Sequence, residues 1–149
     1  MELLFRARRK DNDKWAYGFG FIPVTIDGRK TGKYEMIITL DYDQVYGYHA
    51  DYKSICIYPE TVGQFTGEHF YKSHATNNGQ ADAYESRYKC FVGDILRIKV
   101  GGTWQTPVYV VKDLKSFYED FRCDGVDPYY RITDAILIGN IFDNPELIK

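Results

Sequence analysis

Cysteine is scarce and poorly placed for pairing. Cys56, Cys90 and Cys123 are an odd number, lie far apart and form no Cys-x-x-Cys. A disulfide framework and a paired-cysteine zinc site are therefore not expected, and a reducing cytosol is the expected compartment. Long apolar runs are missing too. None approaches the roughly 20 residues that carry a helix across a bilayer. The first ten residues hold only a brief apolar patch before Arg6, Arg8 and Arg9, too short for a signal-peptide core. No membrane association is expected. No Asn-x-Ser/Thr sequon occurs. Excess charge of either sign is also lacking. Nineteen Lys and Arg stand against 21 Asp and Glu, a net charge of −2, which excludes bulk attraction to nucleic acid but leaves local patches open.

The signatures of catalysis are missing as well. There is no His-Glu-x-x-His and no Gly-x-Ser-x-Gly. Gly18-x-Gly20 sits inside an aromatic strand pattern, not at the strand-to-helix turn that cradles phosphate. His69 and His74 lie five apart on a polar stretch, with His49 and Cys90 elsewhere, which is not a ligand spacing. Cys56 alternates with Ile55 and Ile57 and reads as a core or half-buried thiol without a base beside it. The carboxylate neighbours Asp11 with Asp13, Asp41 with Asp43, and Glu119 with Asp120 fall in turns or on one helix face, with nothing to make them converge on a cleft. These absences point to binding or assembly without a cofactor or metal, not to an enzyme.

Aromatic residues are what the chain has in plenty: 17% of it, with 14 tyrosines. Tyr and Phe fit pleated, half-buried surfaces, so the excess leans toward β-structure. Tyr is also an interface residue, apolar in body and polar at the tip.

Leu3, Phe5 and Ala7 alternate with Leu4, Arg6 and Arg8 as a first strand. Asp11-Asn-Asp-Lys14 is turn chemistry. Trp15, Tyr17, Phe19 and Phe21 then recur at every second position as a second strand, ended or edged by Pro23. A polar loop at Asp27-Gly28 and Thr31-Gly32 leads to a third strand over residues 34–40. Residues 41–53 show no period. Ser54 to Tyr58 is a short strand stopped by Pro59. Residues 1–60 thus predict an N-terminal antiparallel meander, and residues 61–87 a connector with a long polar loop.

Residues 88–149 are organised around a hairpin. Gly93-Asp94 opens a strand in which Leu96, Ile98 and Val100 share one face and Arg97 and Lys99 the other. Gly101-Gly102 turns the chain toward Trp104 and the run Val108 to Val111. Leu114, Phe117, Tyr118 and Phe121 form a helical stripe, with Asp113 as its cap and Gly125 beyond its end. Two closing strands are expected over 129–133 and 135–141. Asn144-Pro145-Glu146 marks a terminal helical turn. Short strands with frequent turns predict a mainly β fold with short helices. For the C-terminal half the expectation is a small SH3-like barrel or roll, preferred over an OB-fold or a sandwich. The basic face of Arg97 and Lys99, with Trp104 and Tyr109 to stack bases, makes nucleic acid an alternative partner. Arg87 and Lys89 precede it, and Glu85, Asp94 and the acidic stretch 119–127 oppose it.

Three segments together resemble the YopX family of bacteriophage and prophage proteins: Ile57-Tyr-Pro-Glu-Thr-Val-Gly-Gln-Phe-Thr-Gly67, Val92-Gly-Asp-Ile-Leu96, and Ile138-Gly-Asn-Ile-Phe-Asp-Asn-Pro-Glu-Leu147. The stretch between Gly67 and Gly93 is longer than the loop usual in that family. The resemblance implies a phage or prophage origin, the cytoplasm of a bacterial host, a C-terminal SH3-like barrel and self-association as a homo-oligomer, with a phage or host protein as a further partner. It implies no activity. Its matched residues read as structural. Gly63, Gly67, Gly93 and Gly139 are positions needing room or positive φ. Asp94 bonds backbone at a strand entrance, Asn144 caps the last turn with Pro145 at its first position, and Asn140 is a further structural position of the same segment.

Overall fold

The structure is a computed structural model that describes residues 3–39, 52–72, 87–121 and 131–149. Its contacts divide the chain into two units, Met1–Gln64 and Phe65–Lys149.

In the first unit the N-terminal alternation becomes β1 (Phe5–Arg8), which pairs antiparallel with β2 (Trp15–Gly18). The turn between them works as its composition predicts. Asn12 Oδ1 accepts the Lys14 N–H at 3.0 Å, and Asp13 adopts φ 57°. The aromatic run does not stay one strand, however. It breaks at Phe19, whose N–H bonds to the Ile37 carbonyl at 3.1 Å, and resumes as β3 (Gly20–Ile26). β3 pairs with β4 (Arg29–Thr39), and β4 pairs in turn with β5 (Tyr52–Ile57). Pro23 does not end its strand. It lies mid-β3, opposite Tyr34, and β3 is the edge of that three-stranded sheet. The expected polar loop at Asp27-Gly28 is a two-residue hairpin turn with Ile26 opposite Arg29. The core of the unit is Ala7, Ala16, Met36, Ile55 and Ile57. Ile55 and Ile57 take the buried face of β5, so Cys56 between them is exposed, contrary to the core or half-buried thiol expected. Residues 41–51 lie outside the described residues.

A 3₁₀ turn, Pro59–Thr61, precedes β6 (Gly63–Lys72). This corrects the reading of 61–72 as connector and loop. Glycine and polar content disguised a ten-residue strand, which draws its partners from far along the chain. The remainder of the polar stretch, 73–86, lies outside the described residues.

In the second unit β7 (Tyr88–Phe91) pairs with β6, and β8 (Asp94–Val100) forms the expected hairpin. Gly101 and Gly102 turn it with φ of 56° and 88°, the left-handed pair that a tight hairpin needs and that only glycine adopts without strain. The return strand is interrupted. β9 (Thr103–Trp104) and β10 (Tyr109–Val110) each pair with β8, and residues 105–108 between them form no strand. Leu96 is fully buried and Ile98 and Val100 partly so, while Arg97 on the opposite face is exposed. Ile95 is also fully buried, so the start of β8 is covered on both faces.

The apolar stripe folds as α1 (Leu114–Phe121) and seats Phe117 in a core of Cys90, Leu96, Val111, Ala135 and Leu137. Asp113 caps it, accepting the Ser116 N–H at 2.7 Å. That bond is the first cause holding the Asp113 carboxyl below its ordinary range. A depressed folded pKa means that the cap's contribution is complete above the unfolded value and is lost as pH falls through the folded one. The Ser116 amide resonance should therefore titrate with a midpoint below the usual Asp value of about 3.9. A midpoint at or above it removes the cap.

In place of two closing strands there is one, β11 (Ile132–Asn140), with register shifts at Ile132/Asp134 and Leu137/Gly139. Residues 129 and 130 lie outside the described residues. β11 pairs antiparallel with β8 and parallel with β6. The hydrogen-bonded order is β10-β8-β11-β6-β1-β2, with β7 on β6 and β9 on β8. The fold is mainly β, an eight-stranded mixed sheet and a three-stranded antiparallel one. Among the described residues the larger sheet is open, with no pairing that closes it into the barrel expected for 88–149.

Candidate functional site

One face of the second unit's sheet gathers charge and rings. β11 fixes which side chains meet there. Ala135 and Leu137 belong to the core, so Asp134 and Ile136 take the other face. Across β11, Ile136 lies opposite Arg97 of β8 and, in the parallel direction, opposite Tyr71 of β6. One step along, Asp134 lies opposite Lys99, and Lys99 opposite Trp104 of β9. Two rows result: Tyr71, Ile136 and Arg97; then Asp134, Lys99 and Trp104.

The cations already sit on rings. Lys99 Nζ is 5.8 Å from the Trp104 ring centre, and Arg87 is 5.0 Å from that of Tyr71. Each such contact contributes about 0.5–1 kcal/mol at an exposed position. Bonding to Tyr71, then the field of Asp134, keeps the Arg87 guanidinium above its ordinary range. Trp104 is 39% exposed and Arg97 and Arg87 are exposed.

A cleft opens beside these rows. Among the described residues β6 and β11 pair through Tyr71–Lys72 and Ile136–Leu137, and ahead of that pairing the strands part. The gap holds about 230 Å³. Phe70, Phe121 and Ala135 give it an apolar lining, and Glu68, Tyr71, Arg87 and Asp134 a polar one.

Of the four residues proposed from sequence, the fold brings Arg97, Lys99 and Trp104 together and separates Tyr109 from them. Tyr109 lies opposite Leu96 and therefore on the core face. Its ring packs edge-on against Phe121 at 5.5 Å, and its hydroxyl donates to Asp120 at 2.5 Å. Burial first, then that carboxylate, raises its pKa. It is a packing residue. Tyr71 and the cleft are not legible in the sequence, because a tyrosine in an apparent loop gives no sign of its partner strand. Arg87 is legible as a basic residue ahead of β7, but its ring partner is not.

The residues matched to the phage family are placed as follows. Gly63 is buried in β6, and Gly67 and Gly93 adopt φ of 90° and 99°. Asp94 is 1% exposed and its carboxylate accepts the Phe91 N–H at 2.8 Å. The Asn140 Oδ1 accepts the N–H groups of Phe142 and Asp143 at 3.0 and 2.9 Å. Pro145 opens the terminal 3₁₀ turn, Pro145–Ile148. Asn144 precedes that turn but, contrary to the capping role the sequence suggests, its side chain does not cap it; its Oδ1 accepts the Asn140 N–H at 3.2 Å. A Cβ on Gly139 would meet the Asn144 side chain, with Cγ at 2.8 Å, so this bond requires glycine there.

Among the described residues no group of three His, Cys, Asp or Glu could hold a metal ion, and no helix is long and apolar enough to cross a membrane. Comparison with known families, curated proteins and solved structures finds no match.

Proposed function

We propose that this protein is a non-enzymatic binding and assembly module that works as a homo-oligomer in the cytoplasm of a bacterial host, as a phage or prophage accessory protein of YopX type. The edge strand β3 carries this reading. Among the described residues only one of its sides is paired, to β4. It also exposes large apolar side chains: Phe21, Ile22 at 47% and Ile26 at 64%. A row of open backbone donors and acceptors flanked by apolar side chains is a template for an added strand. A second copy of β3 supplies one by two-fold symmetry. Pro23 removes one donor and restricts the pairing to part of the strand. The SH3-like reading of residues 88–149 belongs to the same proposal. Its support is the pair of register shifts in β11, irregularities of the kind that bend a strand. A phage or host protein is the further partner.

The test is mass by light scattering at micromolar concentration. The native chain is expected to run as an oligomer. Ile22→Lys with Ile26→Lys should convert it to monomer with its circular dichroism unchanged, because both side chains already face solvent. A strictly monomeric native chain overturns the reading.

A further inference from the structure

We propose that the outer sheet face of the second unit, with the cleft between β6 and β11, binds single-stranded nucleic acid. This goes beyond self-assembly and uses a different surface.

Three observations converge. The first is the alternation of rings and cations. Tyr71 and Trp104 stand at the two ends of the rows, three strand spacings of about 4.8 Å apart. Arg97 and Lys99 lie between them, and Arg87 lies over Tyr71. Bases stack on such rings and phosphates run past such cations, in a mode that tolerates sequence because every base has a π-face. The second is the size of the cleft. At about 230 Å³ it is smaller than the 300–1,000 Å³ usual for drug-sized ligands, and it suits one planar ring. Its apolar lining accepts the ring. The carboxylates of Glu68 and Asp134 can accept hydrogen bonds from an exocyclic amino group. The third is shape. The surface is a sheet face, whereas reading a duplex through its major groove needs a helix or a two-stranded ribbon that enters the groove. Bases must be unstacked to reach Trp104 and the cleft, which selects single strands.

Charge sets the scale. Three cations face two carboxylates, Asp134 and Glu68, so binding is modest and falls steeply with salt. The probe is a fluorescein-labelled oligodeoxycytidylate of about 15 nucleotides, within the span of small β-barrel sites. Its anisotropy should rise with the native protein at low salt, and the rise should disappear as potassium chloride is added. The same length of duplex should bind more weakly. Trp104→Ala and Arg97→Gln should each weaken binding about tenfold, with melting curves unchanged because both side chains are exposed. No binding of the single strand at low salt overturns the proposal. So does equal binding of the duplex, or single-strand binding that survives both substitutions. Capture by anionic vesicles without oligonucleotide binding assigns the face to lipid and overturns it as well.

Discussion

Phe117→Ala should destabilise the second unit by about 3–5 kcal/mol, the range for removing a fully buried phenylalanine. Phe117 is 1% exposed and is the only fully buried side chain of α1 among the described residues. It stacks on Phe121 at 4.4 Å and meets Tyr118 and Phe70 edge-on at 5.8 and 6.4 Å. Truncation leaves a hole that a short helix capped by one carboxylate cannot refill. Whole domains are stable by only about 5–15 kcal/mol. The loss therefore brings this unit close to its threshold. Urea unfolding followed by Trp104 fluorescence reads the effect, since Trp104 belongs to this unit. A shift of less than about 1 kcal/mol would mean that the ring is not packed as described.

Gly18→Ala should cost the first unit about 3 kcal/mol, the upper end for overpacking. The first obstacle is backbone, with a buried side chain beside it. A Cβ at this position would run into the Ile37 carbonyl and lie 2.8 Å from Met36 Cγ. Met36 is itself fully buried, and Ile37 O already accepts the Phe19 N–H. Neither can move without disturbing β4. Gly20→Ala, two residues on, has nothing within 4 Å of its added methyl and is the control. Melting both variants and following Trp15 fluorescence separates them. Equal melting temperatures would remove the close approach at Gly18.

What could be read from the residues was local. The Gly101-Gly102 turn, the alternation of β8 and the spacing of Leu114, Phe117, Tyr118 and Phe121 each declare themselves within a dozen positions, and each is present. What was hidden was non-local. Gly63, Gly67 and Glu68 look like loop residues, and only pairing with β1, β7 and β11 makes them strand. Phe19 looks like the middle of a strand, and only the approach of Ile37 makes it a break. The candidate face was half legible for the same reason. Arg97, Lys99 and Trp104 belong to one hairpin, so alternation places them together. Tyr71 and Asp134 reach them only through β11, and Tyr109, an odd number of residues after Trp104, falls on the opposite face, against Leu96.

The position of β11 bears on when the second unit can fold. It is the last strand made, yet it lies between β8 and β6 in the sheet. On the ribosome the earlier strands emerge without the one that joins them, so this half stays unfinished until β11 itself has emerged. Its apolar residues wait uncovered in the meantime, and a nascent chain halted before Ile132 would present that surface to chaperones instead of a nearly complete domain.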